Sequence, residues 1–512
     1  MHGRRAARAA DRIEQHQARP ATHRQSHIRL RGGAVLETDD IESLIGDMWA
    51  MHISERDKLD RIYDYVRGRR GVPDVPDGAG QELKDLAKLS VKNVLSLVRD
   101  AFAQNLSVVG YRTATAREND SAWALWQRNG MDARQAETYR AALTYGASYV
   151  TATPGDNGVV FRPRSPRQLM AVYEDPQVDR WPQYALETWV DTTDAKPRRR
   201  GYLYDDGFVY PVDLGELPAV NGTIDDRLTD AARGGIKVVG FGEPLPHEAT
   251  ENGTAVCPVV RFVNARDADD VIVGEIEPLI IPQQAINSVN FDRLIVSRFG
   301  AFPQKVISGW TAEAAEVLKA SASRVWTFDD PDVKATTLAA ASVDGYNNLL
   351  AEMMEHVAMV AQISPAQVTG KMVNLSAEAL AAGEANQQRK LAAQRESFGE
   401  SWEQLLRLGA EMDGDEDTAV DTGAEVVWRD TEARSFATVV DGVSKLAAAG
   451  VPIESLLPII PGMTQQQIKA IRDDLRRGTV VNLVQSLTGA AQQARTDPEV
   501  NQLAEQRNAV AE

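Results

Sequence analysis

The chain has 512 residues, of which 43% are hydrophobic and 25% are charged, and its mean hydropathy is −0.32. This composition is typical of a soluble globular protein with several domains, and no apolar run approaches the roughly 18 residues that a membrane-spanning helix needs. The formal net charge of −17 argues against a protein that reads a DNA sequence, because such proteins carry a basic patch.

The single cysteine, Cys257, excludes an intrachain disulfide and a cysteine zinc site, and it favours a cytosolic protein. We expect Cys257 to be a small buried residue beside a strand. A role as a nucleophile is disfavoured, because no neighbouring histidine could activate the thiol.

The first 35 residues predict a disordered basic arm, because arginines recur there and large apolar residues are almost absent. The arm could contact nucleic acid, or it could be a translated leader from an upstream start codon. Both interpretations stay open on composition alone.

Helices are predicted next, with Asp39 or Asp40 capping a helix over residues 41–66. A loop rich in Pro and Gly follows at 68–80, and helical periodicity returns over 83–98. The run NLSVVGYRT predicts a strand, and two more helices are expected at 120–127 and 133–145. Residues 149–263 read as a series of strands separated by turns.

The segment 275–310, EIEPLIIPQQAINSVNFDRLIVSRFGAFPQKVISGW, predicts a long helix over residues 283–299. One face is only partly apolar, and other faces carry both apolar and charged residues. The partly apolar face comprises Ile286, Val289, Asn290, Arg293, Leu294 and Ser297, and the other faces carry Asn287, Phe291, Asp292 and Arg298. This pattern favours packing between identical neighbours over a monomer's core, with an ordinary surface helix as the alternative.

The second half of the chain predicts a helix over 345–362, an irregular stretch over 363–375, and a long helix over 377–412 capped by Ser376. At about 1.5 Å per residue the long helix would extend about 55 Å, interrupted only at Gly383, Gly399 and Gly409. An acidic loop, the strand EVVWRD and Ala-rich helices complete the chain.

Motifs of enzyme chemistry are missing from the sequence. Gly370 and Lys371 lack the preceding glycine of a Walker A loop, and neither HExxH nor GxSxG occurs. Four of the seven histidines lie in the basic arm. Only His52, His247 and His356 remain elsewhere in the chain, which disfavours a metal site built from histidines. We therefore predict a protein that is not an enzyme, with no catalytic residue, no metal and no cofactor.

Several passages, in this order, resemble the portal proteins of tailed bacteriophages of the siphophage or actinophage type. They are AWALWQRNGMDARQAETYRAALTYGASYV, SPRQLMAVYEDP, VCPVVRFVN, the helix segment 275–310, and AQISPAQVTGKMVNLSAEAL with the long helix after it. The resemblance covers roughly residues 36–475. No single motif is diagnostic, but the order of the motifs is specific.

The resemblance implies an α+β portal fold with a mixed α/β wing, an α-helical stem, a small clip, a long kinked helix and an α-helical crown, assembled as a ring. The corresponding ranges are 36–276 for the wing, 277–300 and 343–362 for the stem, 301–342 for the clip, 363–375 for the tunnel loop, 376–412 for the long helix, and 413–512 for the crown and tail.

The resemblance also implies a function in the virion. A portal protein is a homo-oligomer, typically a dodecamer, at one capsid vertex, and it forms the head–tail connector channel for DNA packaging and ejection. Its partners would be double-stranded DNA passing without sequence specificity, the terminase large subunit, a head-completion or adaptor protein, and the major capsid and scaffold proteins. Assembly would take place in the host cytoplasm, with no membrane involved.

The resemblance places the tunnel loop around the DNA channel, with Thr369, Gly370, Lys371, Met372, Val373 and Asn374 as the candidate channel residues. The stem helix would contact neighbouring subunits through Ile286, Val289 and Leu294. Two other classes remain open at this point: another capsid or scaffold component, and a nuclease or protease of the packaging module.

Overall fold

The structure is a computed structural model that describes residues 35–115, 119–194, 196–217, 219–220, 223–224, 236–300, 305–308, 334–337, 342–370, 377–429, 431, 436–457, 460, 463 and 465–476. The predictions for the basic arm at 1–34, for Ser376 as a helix cap, and for most of the clip lie outside these residues.

The helices are α1 (Thr38–Val66), α2 (Gln81–Leu89), α3 (Val94–Ala103), α4 (Asp120–Arg128), α5 (Met131–Tyr145), α6 (Ile280–Gly300), α7 (Asp344–Ala361), α8 (Pro365–Thr369), α9 (Ala377–Met412), α10 (Glu416–Ala419), α11 (Phe436–Ala448), α12 (Ile453–Leu456) and α13 (Gln465–Arg476), with a 3-10 turn at Glu277–Leu279. The strands are β1 (Val108–Arg112), β2 (Ala147–Thr153), β3 (Val160–Arg164), β4 (Leu169–Val172), β5 (Tyr184–Asp191), β6 (Arg198–Tyr204), β7 (Phe208–Glu216), β8 (Ala219–Val220), β9 (Thr223–Ile224), β10 (Gly240–Phe241), β11 (Leu245–Pro246), β12 (Thr250–Glu251), β13 (Thr254–Ala255), β14 (Val259–Val263), β15 (Lys305–Ser308), β16 (Lys334–Thr337) and β17 (Glu425–Trp428). The fold is therefore α+β, as predicted.

Helix α1 begins earlier than predicted. Its N-cap is Glu37, whose side chain makes no capping hydrogen bond, and Asp39 and Asp40 lie inside the first turn. The prediction that one of these aspartates is the cap was therefore wrong. Carboxylates in a first turn stabilise the helix through its dipole, so they mark the start of a helix without fixing the cap residue.

A large antiparallel sheet carries strands in the order β10-β7-β6-β5-β4 and is covered on both faces. Alternate residues of its strands point to opposite faces. Leu186 and Leu203 pack with Trp49 of α1, whereas their neighbours Ala185 and Tyr204 pack on the other side with Cys257 and Val259. Cys257 is buried and unpaired, which confirms its prediction as a small core residue.

The main core forms where α9 crosses the sheet β14-β2-β3 and helices α4 and α5. Trp402 of α9 lies edge-on to Trp126 at 5.0 Å and to Phe262 at 4.5 Å between ring centres. Its indole nitrogen donates to the Tyr139 hydroxyl at 2.8 Å, so the polar atoms of this aromatic cluster are paired.

Helix α9 runs unbroken through Gly383, Gly399 and Gly409, so the predicted interruptions at these three residues were wrong. Gly409 serves close packing instead. A Cβ atom there would lie 2.7 Å from both Leu125 and Phe161, which is closer than carbon atoms can approach.

Strands β1 and β17 pair antiparallel, from Val108 opposite Trp428 to Arg112 opposite Glu425. Both strands were predicted, but their partnership was not. Ala424 and Val426 belong to the main core, so the first part of the predicted crown packs with the predicted wing.

The short strands β15 and β16 also form an antiparallel pair, with Lys305 opposite Thr337. This pair lies within the predicted clip, between the stem helices α6 and α7 in chain order. The clip segment therefore contains a two-stranded antiparallel ribbon, although its sequence shows few strand signals.

Candidate subunit and channel surface

Helices α6 and α7, which correspond to the predicted stem, pack against each other. The guanidinium of Arg293 on α6 donates to the side-chain carbonyl of Asn347 on α7 at 3.2 Å. At their other flank, Arg298 of α6 forms an exposed ion pair with Glu82 of α2 at 2.9 Å. An exposed pair of this kind stabilises by about 1 kcal/mol or less, so apolar packing holds the stem more than charge does.

Three amide side chains on α6 fasten the stem to the loop between α2 and α3. Gln283 accepts from the Val94 amide at 3.1 Å, and Asn287 accepts from the Lys92 amide at 3.0 Å. Asn290 donates to the carbonyl of Ser90 at 2.7 Å. All three amides are buried, and they lie at i, i+4 and i+7 on one face of the helix. We call Gln283, Asn287 and Asn290 the amide ladder.

Asn287 is the most connected member of the ladder. Its side-chain nitrogen donates to the carbonyl of Gly71 at 2.8 Å, and its oxygen also accepts from Gln283 at 2.7 Å. Gly71 lies at φ +85°, where a side chain would be strained. Backbone groups that lose contact with water need another hydrogen-bond partner. By supplying such partners, the ladder allows the loop after α1 and the loop between α2 and α3 to pack directly on the stem.

The amide ladder gives the polar residues of α6 a role that the sequence did not predict. The expectation that α6 packs between identical neighbours stays a prediction, but Asn287 is completely buried within the chain itself. The sequence signal that could have revealed the ladder is three amide side chains at helical spacing on one face of α6.

The three residues predicted to contact a neighbouring subunit occupy different environments. Ile286 is completely buried in the chain's own core, and Val289 packs partly buried against that core. Leu294 is half-buried. Val289 and Leu294 therefore both retain some surface that a neighbouring chain could cover directly, whereas Ile286 does not. The prediction stays untested for all three.

Apolar side chains that are open to solvent in the single chain lie elsewhere on the stem. Ile281 on α6 is 73% exposed and Met359 on α7 is 67% exposed. Leu349 and Val360 of α7 are also exposed. The stem helices thus present apolar surface on more sides than the predicted face.

The predicted tunnel loop, residues 363–375, was expected to be irregular, but it contains the short helix α8, and the candidate channel residues begin at the end of that helix. Thr369 is its last residue and donates its hydroxyl to the carbonyl of Pro365 at 2.9 Å. Gly370 follows at φ +68°, the left-handed conformation that glycine adopts to end a helix. Lys371, Met372, Val373 and Asn374 lie outside the described residues.

A buried polar network joins the long helix α9 to the chain just before the stem. Glu275 accepts from Asn264 at 3.0 Å and from Gln394 at 3.2 Å, and it forms an ion pair with Lys390. The carboxylate is thus surrounded by donors, as a buried charge requires. Because Lys390 binds Glu275, a displacement of α9 near Lys390 would also displace the chain at the start of the stem.

The ionisable groups of the described residues favour structure over catalysis. Burial lowers the pKa of His52 to about 4 and raises the pKa of the Cys257 thiol well above its usual range. Among the residues that the structure describes, no group of three or more His, Cys, Asp or Glu side chains could hold a metal ion. None of the described helices is long and apolar enough to cross a membrane.

Comparison with known proteins gives matches over most of the chain. The family model described as phage portal protein, SPP1 Gp6-like, matches residues 45–479. The portal proteins of Mycobacterium phages D29 and L5 are each 25% identical to the chain, over 378 and 377 residues. Each match covers 69% of this chain and 71% of the relative.

Solved structures with similar chains come from gene transfer agent particles. The neck of the native particle, computed with C12 symmetry, aligns with a TM-score of 0.43 at 12% identity, covering 76% of this chain and 96% of that one. The virion of the native particle aligns with a TM-score of 0.39 at 12% identity, covering 78% and 100%.

Proposed function

The chain belongs to the SPP1 Gp6-like family of phage portal proteins, and from this premise we propose that twelve copies form a ring at one capsid vertex through which double-stranded DNA is packaged and ejected. The family match over residues 45–479 is the observation that carries this proposal. Portal proteins are structural components of the virion, so the chain acts by assembly and not by catalysis.

Neighbouring subunits would contact each other through the stem. The exposed apolar side chains of Ile281, Leu349 and Met359 support this proposal, because a cyclic assembly covers one patch of each chain with a different patch of the next. Val289 and Leu294 join them as the half-buried members of the predicted interface. Ile286 is completely buried, so it would act indirectly by packing α6 against the core of its own chain.

The tunnel loop would narrow the channel around DNA. Lys371 would provide one weak phosphate contact per subunit, and Met372 and Val373 would provide an apolar surface along which DNA slides. The net charge of −17 supports sliding, because an acidic wall forgoes the counterion release that makes DNA binding tight.

This role of the loop is tested by the paired variants Lys371→Ala and Met372→Ala in one chain. We expect normal ring assembly but an altered amount of packaged DNA or altered retention of DNA in finished particles. If the particles keep the wild-type DNA content and retention, the tunnel loop is not the constriction of the channel.

The proposed partners follow from the position of a portal. The terminase large subunit would dock during packaging, a head-completion or adaptor protein would dock afterwards, and the major capsid and scaffold proteins would surround the ring. Assembly would take place in the host cytoplasm before incorporation into the virion.

The proposed function as a whole is tested by complementation. Capsids assembled without the chain should contain no packaged DNA, and supplying the chain in trans should restore both packaging and infectivity. Capsids that fill with DNA in its absence would refute the proposal.

A further inference from the structure

The C-terminal end of α1 carries an unusual concentration of positive charge for an acidic chain. Residues 61–70, RIYDYVRGRR, contain four arginines and one aspartate, whereas the whole chain has a formal charge of −17. Arg67, Arg69 and Arg70 are all exposed. We call these three residues the basic junction, because they lie where the wing meets the stem.

Two of the three arginines of the basic junction lie over the ring of Tyr63, together with Arg167 from another part of the chain. The guanidinium carbons of Arg67 and Arg69 lie 5.4 and 5.6 Å from the centre of that ring, and Arg167 lies 4.0 Å from it. Cation–π contacts of this kind use the flat face of a guanidinium and leave its N–H groups at the edge free to bind oxygen atoms.

The three arginines of the basic junction have no acidic partner among the residues that the structure describes. Arg167 is paired with Asp60 at 2.7 Å, but none of Arg67, Arg69 and Arg70 forms an ion pair with any residue that the structure describes. A cation beyond the end of a helix is stabilised by the helix dipole, which accounts for Arg67. The dipole effect fades within a turn and does not account for Arg69 and Arg70.

Two further cations lie near the basic junction: Lys92 in the loop between α2 and α3, and Arg293 on the stem helix α6. The carbonyl of Gly71 and the amide of Lys92 both bind the side chain of Asn287, at 2.8 and 3.0 Å, so the loop after Arg70 lies beside Lys92. Burial lowers the pKa of Lys92, and the positive charge of Arg293 on α6 lowers it further. Like charges therefore crowd together here, an arrangement that a bound anion would relieve.

We propose that Arg67, Arg69 and Arg70 form a contact site for the phosphate backbone of double-stranded DNA at the junction of wing and stem. Three guanidinium groups within four residues suit closely spaced phosphates, which duplex DNA presents at one charge per about 1.7 Å of its axis. Arg67 caps the C-terminal end of α1, and Arg69 and Arg70 lie in the loop after it. Contacts to phosphates carry no sequence information, so the proposed contact is independent of sequence.

The site complements the sliding surface of the proposed channel. An acidic channel wall repels DNA, and the proposed contact at Lys371 is weak. A second basic contact from each chain, at another level of the channel, would help to centre the duplex without binding it tightly. The position of this site in a DNA channel rests on the proposed function. DNA binding by the site can nevertheless be measured whether or not rings form.

The test measures how DNA binding by the full-length chain depends on salt. A fluorescein-labelled duplex of 30 base pairs is titrated with wild-type protein and with the variant Arg67→Gln, Arg69→Gln, Arg70→Gln, between 50 and 200 mM NaCl. Losing three phosphate contacts should reduce the slope of log affinity against log salt by about 2.7, so the wild type should lose about 40-fold more affinity over this range. The basic arm is present in both proteins, and its contribution to the slope cancels.

Two matched variants separate the site from bulk charge and from misfolding. Lys196→Gln, Arg389→Gln, Lys445→Gln removes three exposed charges elsewhere and should keep the wild-type slope. Arg67→Lys, Arg69→Lys, Arg70→Lys preserves the charges and should also keep it. Equal slopes for the wild type and the glutamine variant, an equal loss in the Lys196 control, or no DNA binding by the wild type would each overturn the proposal.

A different outcome would reassign the junction. If the glutamine variant binds duplex DNA like the wild type but loses binding to an acidic polypeptide such as polyglutamate, the site is a protein-docking surface and the DNA proposal is wrong. Failure of the slope test bears on this site alone, whereas the absence of rings would bear on the proposed function.

Discussion

Replacing Asn287 with alanine should loosen the joint between the stem and the wing. The side chain is completely buried and bridges the Lys92 amide, the Gly71 carbonyl and Gln283. Alanine would remove the side-chain partners of the Lys92 amide and the Gly71 carbonyl, which belong to half-buried residues. An unpaired polar group costs about 1–3 kcal/mol when it is buried, so two part-buried groups should together cost about 2 kcal/mol.

Hydrogen exchange measures this loss where it occurs. Peptides that contain Lys92 should exchange at least tenfold faster in Asn287→Ala, because about 1.4 kcal/mol of lost protection corresponds to a factor of ten. Ser288→Ala is the matched control, since Ser288 is the next residue on α6, is exposed, and bonds only to the carbonyl of Gln284. Equal exchange in Asn287→Ala, Ser288→Ala and the wild type would refute the role of the amide ladder.

Three further predictions concern pH, assembly and the basic arm. Unfolded His52 binds a proton below about pH 6.5 but the folded residue only near pH 4, so stability should fall by up to about 3 kcal/mol as the pH drops through this window. His52→Gln should remove that part of the fall in urea unfolding at pH 7 and pH 4.5, and an unchanged fall would contradict it. Leu294→Asp places a charge in an apolar contact at a cost of several kcal/mol, and it should abolish oligomers in native mass spectra while circular dichroism stays unchanged; normal oligomers would exclude Leu294 from the interface. Deleting residues 1–33 should leave the oligomer and its melting temperature nearly unchanged, and aggregation of the shortened chain would show that the arm is needed.

The periodicity of apolar residues predicted most of the helices and strands, because whether a segment forms a helix or a strand depends largely on the residues within that segment. Helix α6 was expected over 283–299 and spans Ile280–Gly300, and the strand at 425–428 was expected from the run EVVWRD. The pairing of β1 with β17 could not be predicted, since about three hundred residues separate the two strands and nothing in either pattern specifies a partner.

The role of the polar residues on α6 was misjudged for a related reason. Asn287 and Asn290 bind backbone groups of distant loops, and a backbone amide or carbonyl leaves no signature in the sequence. A helix that looked unsuited to a monomer's core is therefore partly a core helix with polar contacts. The fold class was predicted from several motifs that resemble one protein family and occur in the same order. No single motif would have been enough for that prediction.

The central claim, that the chain assembles into a ring around a channel, is tested most directly by electron micrographs of the full-length protein. We predict closed rings with a central hole and about twelve subunits in axial views, stable at the protein concentrations used for imaging. Compact monomers, or closed two-fold dimers without a hole, would contradict the account.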